Sequence, residues 1–276
     1  MIALVTWRRS GTVRDMGEVP SVTQEFLDGE QYTTPSIKAY ESVYGRDFVS
    51  PGGERMAREL VRRLALSPGA RVLDVGSGLG GSAFLMPREF GLRVDGVDLS
   101  RNMIALAQQR CEAHGLTELV TFEHRDCLTI NNPGRYQAIY SRDVFLHIHD
   151  KIRLFDVLLN TLSEGGRLLF TDYCCGDKPW HADFADYVQG RAYCLHTLPE
   201  YVGLVEGAGF VGVTAEDLTK RFGDILTADL ARIEAADLPG DVRANLQAGW
   251  QAKAARVKTG DQRWGMLEAS RPGISS

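Results

Sequence analysis

The chain has 276 residues, 44% of them apolar, and a formal net charge of −5 from 31 basic and 36 acidic side chains. That length and apolar fraction fit one α/β-sized globular domain with an appended piece, and mild acidity without a basic block argues against a nucleic-acid or anionic-membrane surface. No apolar run approaches the ~18 residues of a membrane span, and five cysteines without Cys-x-x-Cys or His/Cys ligand spacing point to a reducing compartment, read as cytoplasmic, and to no structural metal.

In chain order, residues 1–22 read as a flexible extension, with arginines but no secretory apolar core. Residues 23–27 and 35–44 read as helices. Residues 52–66 read as a stronger one, with Met56, Leu60, Val61 and Leu64 in one apolar stripe and Pro68-Gly69 as its stop. Together 23–66 are expected to form a helical lid. Strands are expected near 71–75, 93–97, 119–124, 137–141 and 167–173, with helices near 82–90, 101–114 and 150–162. Such alternation builds a doubly wound, mainly parallel sheet whose ligands sit outside the C-terminal strand ends. Asp74, Asp98, Asp126, Arg142, Asp143 and Tyr173 fall at or just past those ends and should share one crevice. After Gly176 the pattern changes to helices near 183–193, 198–208, 220–236 and 241–257, a strand near 210–215, and a last strand near 264–269 expected to close the sheet edge. Residues 23–276 are taken as a single domain in which 177–258 includes a cap over the substrate side.

The organising motif is the stretch 71–81, RVLDVGSGLGG. A strand followed by Gly76, Gly78, Gly80 and Gly81 lets the backbone approach a bound group, and the helix that follows aims free N–H groups at it. Gly76-x-Gly78-x-x-Gly81 fits the dinucleotide pattern; Asp74-x-Gly76-x-Gly78-x-Gly80 fits equally the acidic loop of S-adenosylmethionine (SAM) enzymes. A pyrophosphate would be repelled by Asp74, whereas a sulfonium and an ammonium tolerate an acid, so Asp74 favours SAM. Asp98, about 20 residues past the loop, sits where a carboxylate accepts from both ribose hydroxyls, while Ser100 is the better N-cap for the next helix. Asp126 ends a third strand, placed to accept from an adenine amine with Cys127-Leu128 beside the ring.

On the substrate side, the segment YSRDVFLH (140–147) follows the fourth strand. Arg142 and Asp143 emerge charged from a buried strand, either to meet a ligand or to pair with each other or cap the next helix. His147 beside them is either a proton acceptor or a packed structural histidine. A second cluster, Tyr173, Tyr187, Arg191 and Tyr193, sets tyrosine hydroxyls around one guanidinium, with Tyr187 and Arg191 four apart on a helix face. It reads either as a phosphate receptor or as amphipathic packing.

With these residues in view, the chain resembles the phosphoethanolamine N-methyltransferases, SAM-dependent enzymes that make phosphocholine, over roughly residues 26–269. The resemblance is carried by Gln31-Tyr32, FVSPGG (48–53), the glycine loop, YSRD (140–143) with Leu146-His147, DYC (172–174), Tyr187 with Arg191 and Tyr193, Gly249-Trp250 and QRWG (262–265). It implies the class I SAM-dependent methyltransferase fold. It also implies successive N-methylation of phosphoethanolamine through its mono- and dimethyl forms, with S-adenosylhomocysteine as the other product. Another small anionic amine such as 2-aminoethylphosphonate, or a non-catalytic SAM-binding module, stays open beside it. Position by position, it implies that Val49, Ser50, Gly76, Gly78, Asp98, Leu99, Asp126, Cys127 and Arg142 contact SAM. Gln31, Tyr32 and Tyr40 would line the substrate side, and Tyr173, Tyr187, Arg191, Tyr193 and Lys253 would hold the phosphate. Tyr32 and His147 are similar to the family's catalytic pair, with His147 a base of near-neutral pKa and Asp143 near the amine. The expected partners are the small-molecule substrates alone, with no metal, no nucleic acid, no membrane insertion and a monomeric chain. Two departures are Pro51, where Ser or Thr is expected and where a proline stiffens a loop covering SAM, and residues 1–21, which have no counterpart.

Overall fold

A computed structural model describes residues 23–31 and 34–273. The expected extension over 1–22 and Tyr32 lie outside the described residues. A short α1 (Gln24–Phe26) runs into a π-helical turn (Leu27–Gln31), followed by α2 (Thr34–Tyr44) and α3 (Gly53–Arg63). Strand–helix alternation then gives β1 (Arg71–Val75), α4 (Gly81–Phe90), β2 (Arg93–Asp98), α5 (Arg101–Ala113), β3 (Val120–His124), β4 (Tyr136–Arg142), α6 (Lys151–Thr161) and β5 (Leu162–Cys175). The remainder is α7 (Ala182–Gly190), α8 (Leu198–Gly207), β6 (Val211–Asp217), α9 (Thr219–Ala235), α10 (Gly240–Thr259) and β7 (Gln262–Ser270).

The seven strands form one sheet in the order β3-β2-β1-β4-β5-β7-β6. β1 to β5 pair in parallel, and β7 pairs antiparallel with both β5 and β6. Central strands that are covered on both faces read as near-continuous apolar runs, and VLDV, YQAIYS and RLLF come close, each interrupted by one or two polar residues. One face packs on α3, α4, α9 and α10 through Met56, Leu60, Phe84, Phe222 and Trp250. The other packs on α6 and α8 through Leu154, Phe155, Tyr201 and Val205. Ser100 caps α5 by accepting from Met103 N at 3.2 Å, as its position before the helix predicts.

Three expectations are corrected. The last strand does not close the sheet edge: β7 lies inside, buried at Trp264, Met266, Leu267 and Ala269, and β6 is the edge. The composition explains this, since β6 (VGVTAED) is exposed along most of its length and cannot sit between two covered strands. The helix expected near 183–193 stops at Gly190, because Ala192 turns out at φ 51° and takes Tyr193 off the helix. β5 starts at Leu162, five residues before the expected 167, where a bulge beside Tyr136 and Ala138 resets its pairing with β4. Within 177–258, α8 and β6 belong to the sheet layers, so α7 with the turn after it and α10 are the parts that reach the strand ends.

Candidate active site

A cavity of 340 Å³ opens at the C-terminal ends of β1, β2, β4 and β5, within the size range of small-molecule sites. Its two ends are built differently.

At one end Gly76 N and Ser77 N donate to Val97 O at 2.8 and 3.0 Å, which pins the glycine loop to β2. Gly76 stands at φ 73°, and a Cβ there would lie 2.1 Å from Val144 Cγ2, so no other residue fits without moving Val144, just past the end of β4 beside Arg142 and Asp143. Asp98 receives Gly78 N on Oδ2 at 2.9 Å and Ser100 N on Oδ1 at 2.8 Å. Each oxygen keeps a second lone pair for a vicinal diol. Burial pushes the Asp98 carboxyl up, and the Ser100 and Gly78 N–H groups hold it back. Asp126 caps the short turn Cys127–Thr129 by accepting from Leu128 N at 2.9 Å and also borders the cavity, with Cys127, Leu99, Met103, Val49 and Ser50 around it. This bare-backbone cradle with a carboxylate at each of two strand ends fits a nucleoside-bearing cofactor such as SAM.

Asp74 does not play the part its place in the motif predicts. It is 3% exposed, lies outside the cavity lining, and its Oδ2 has no hydrogen-bond partner among the described residues. Burial, reinforced by Asp98 and opposed by Arg142, pushes it to about 7. It lies beneath the loop because the pleat puts it on the sheet face opposite Leu73 and Val75, which pack against α6 and α8. Arg142 and Asp143 do not pair. Arg142, 6% exposed, donates from Nη1 to Gly53 O at 3.1 Å and from Nη2 to Pro51 O at 2.6 Å, fastening the 50–53 loop over the cavity. Asp143, at φ 57°, accepts on Oδ1 from Trp264 Nε1 at 2.7 Å and Thr171 Oγ1 at 3.1 Å. Its Oδ2 is buried without a partner among the described residues, and burial pushes the carboxyl up against the opposing effect of Arg142.

At the other end, Tyr40, Tyr173, Tyr187, Arg191, Tyr193 and Lys253 converge from α2, β5, α7 with its following turn, and α10. Lys253 Nζ donates to Tyr173 Oη at 3.3 Å and lies 5.4 and 5.1 Å from the Tyr173 and Trp250 ring centres. Burial, with Arg256 adding repulsion, pushes it down to about 8. His147 closes this end on a tight turn, Phe145–His147, its ring edge-on to Tyr193 at 5.1 Å. Its Nδ1 is buried without a partner among the described residues. The near-neutral base expected there is corrected: burial, then Arg191 and Lys151, push His147 down to about 4. The Gln31 side chain and Tyr32 lie outside the described residues.

Among the lining residues that escaped the sequence reading are Tyr44, Trp250 as a wall, and Arg256, whose guanidinium lies 3.8 Å over the Tyr187 ring. A signal existed for two of them. Gly249, Trp250, Lys253 and Arg256 fall at helical spacing and line one face of α10.

A parallel sheet with an antiparallel β7 slotted between β5 and β6, ending in a glycine loop that donates to the acid of β2, defines a class I SAM-dependent methyltransferase. Residues 50–215 match the family model of a methyltransferase domain. Phosphoethanolamine N-methyltransferase 1 of Arabidopsis thaliana is 39% identical over 272 residues, 96% of this chain and 54% of that protein. The phosphoethanolamine N-methyltransferase of Plasmodium falciparum is 31% identical over 256 residues, 89% of this chain and 95% of that protein. The solved structure of Haemonchus contortus phosphoethanolamine N-methyltransferase 2, in complex with phosphomonomethylethanolamine and S-adenosylhomocysteine, superposes with a TM-score of 0.86 at 34% identity, covering 90% of this chain and 60% of that chain. The chain belongs to the phosphoethanolamine N-methyltransferase family. It spans about half the length of the plant relatives it matches.

Proposed function

We propose that this chain transfers the methyl group of SAM to the amine of phosphoethanolamine and then to its mono- and dimethyl forms, ending at phosphocholine. The observation that carries the reading is the single cavity, which joins a nucleoside cradle at Gly76–Asp98 to a pole of three cations, Arg191, Lys253 and Arg256, ringed by tyrosines. Neutral hydroxyls and a planar guanidinium suit a phosphate dianion and leave the small amine to point back toward the loop. SAM supplies an electrophilic methyl carbon; the rest falls to this chain. Gly76, Gly78, Asp98, Asp126 and Arg142, with Val49, Ser50, Leu99 and Cys127, hold the cofactor. Arg191, Lys253, Tyr173, Tyr187 and Tyr193 hold the phosphate, with Tyr40 and Gln31 alongside. Asp143 offers its unpartnered Oδ2 to the ammonium and its methylated successors.

An ammonium has no lone pair, so it must lose a proton before attack, and this reading gives that part to His147, with the role of orienting it assigned to Tyr32 by the family resemblance alone. With His147 at about 4 and an alkylammonium near ~10, that transfer is uphill by about 8 kcal/mol. Part of this depression comes from Arg191. A phosphate dianion on Arg191 offsets that charge and raises the imidazole, so the substrate's far end arms the base at its near end. Proximity supplies much of the remaining rate. The same reading takes the chain as a monomer in a reducing compartment, supported by scattered exposed apolar side chains (Leu119, Ile152 and Val211 among the described residues) and by five free cysteines.

The test is methyl transfer from isotope-labelled SAM by the purified full chain. Label should enter phosphoethanolamine and both partly methylated forms. Tight SAM binding with no label in any of the three contradicts the reading.

A further inference from the structure

The buried cluster beneath the cavity has no part in the chemistry just described, yet it holds a lysine that is 3% exposed in the first turn of α6. A cation there opposes the helix macrodipole, and burying it is costly unless every donor is satisfied. All are: Nζ donates to Phe145 O at 2.7 Å, to Cys194 O at 3.1 Å and to Ile148 O. Two of those carbonyls belong to the turn around His147, and the third follows Tyr193. We propose that Lys151 is a positioning residue for methyl transfer: its ammonium locks the turn that carries His147 to the segment that carries Arg191 and Tyr193, so that proton acceptor and phosphate receptor are held as one unit.

Three further contacts run between the same two segments. Cys194 N donates to Leu146 O at 2.7 Å, and His149 Nε2 bonds Ala192 O at 3.0 Å. The His147 ring meets Tyr193 edge-on. Below the lysine, the Tyr201 ring lies 5.9 Å from Nζ, and the Tyr201 hydroxyl donates to Asp172, which is fully buried. Asp172 acts on Lys151 through space and supports its charge against burial. An apolar side chain of equal length would fill the space but release the carbonyls of Phe145, Ile148 and Cys194, and the two segments could then shift apart. The charge also has an electrical effect. The groups facing His147 are Lys151, Arg191 and Tyr193, and those facing Lys151 are Asp172, Tyr201, Cys174, Cys194 and His196. Removing Lys151 takes away one of the two cations that depress His147.

The inference rests on the reading of His147 as proton acceptor, and the experiment keeps the two separable. Lys151→Met and Lys151→Gln are compared with Asp172→Asn and His147→Asn in the full chain. Lys151→Met should bind SAM like the wild type, lose about a hundredfold in kcat as expected for a misplaced group, and move the acid limb of kcat/KM to higher pH. Lys151→Gln, which keeps two donors but no charge, should recover part of kcat while keeping the shifted limb. Asp172→Asn, which keeps an acceptor for Tyr201 but removes the acid facing Lys151, should lose less than about tenfold in kcat, since it touches neither segment and leaves all three Lys151 hydrogen bonds in place. Wild-type kinetics and an unmoved limb in Lys151→Met overturn the proposal. So does Asp172→Asn reproducing the Lys151→Met kinetics, and so does loss of SAM binding in both Lys151 variants, because each marks a general support of the core. Unchanged turnover in His147→Asn removes the proton-acceptor reading itself; loss there with wild-type Lys151→Met kinetics removes the Lys151 proposal alone.

Discussion

The two ends of the cavity are made in opposite ways. The cofactor end is mostly backbone: a glycine loop, two strand ends and short turns between Gly76 and Cys127, joined by the 49–50 segment that Arg142 fastens, with loop N–H groups fixed to the neighbouring strand. The substrate end is side chains, brought from α2, β5, the turn after α7, and α10, which span Tyr40 to Arg256. A backbone cradle is rigid and blind to most substitutions, so it suits a cofactor common to many enzymes. A side-chain pole can be altered one residue at a time, so it suits the choice of acceptor. The difference also decides where charge sits. The cofactor end holds acids that burial pushes up, Asp98 and the deeper Asp74; the substrate end holds a cation and an imidazole that burial pushes down, Lys253 and His147.

This contrast can be broken by substitutions that should act on one end alone. The largest effect is expected at the junction. His147→Asn should lower kcat by about 10²- to 10⁴-fold, the range of general acid–base catalysis, while SAM binding measured by calorimetry stays at the wild-type value. At the substrate end, Arg191→Ala should raise the KM for phosphoethanolamine by about 10- to 100-fold, as loss of a charged hydrogen-bond donor worth ~1.5–3 kcal/mol requires. SAM affinity should not follow. Asp98→Asn should do the reverse, weakening SAM by about tenfold and leaving KM for the amine within a factor of two at saturating SAM. The smallest effect lies beneath the loop. Asp74 stands at about 7 in the folded chain against an ordinary 3.8, so the folded form binds a proton more tightly than the unfolded one. Its stabilising contribution is fully present below the ordinary value and is lost as pH rises through about 7. Asp74→Asn should therefore gain on wild type as pH rises, by about 2–3 kcal/mol in stability between pH 5 and pH 8, with the two chains matching only near pH 3.

What could be read from the sequence follows the same division. The class I fold and the cofactor motif were legible because each depends on neighbours in the chain: VLDV runs straight into its glycines, and Ser100 stands where a cap must. The place of β7 was not, because nothing in QRWGMLEAS names its partners; only its burial on both faces, against the exposed β6, puts it inside the sheet. Tyr44 was missed because it reaches the cavity through the packing of α2 rather than through a motif, and Arg256 because its helical spacing with Trp250 and Lys253 shows a shared face but not that the face meets the cavity. The depressed pKa of His147 lay beyond the sequence because it arises from burial and from two cations, one of them 44 positions away at Arg191 and the other four away at Lys151. The pleat explains Asp74: a motif records that an acid is present, not which way its strand turns it.

The measurement that bears most directly on the two-ended cavity is the ratio of labelled methyl transfer to phosphoethanolamine and to free ethanolamine, in the wild type and in Lys253→Ala. The panel should also contain 2-aminoethylphosphonate. The account predicts strong preference for the phosphorylated amine in the wild type, collapse of that preference in Lys253→Ala through KM, and unchanged SAM affinity in both. Equal transfer to ethanolamine by the wild type, or a preference that survives in Lys253→Ala, would contradict it.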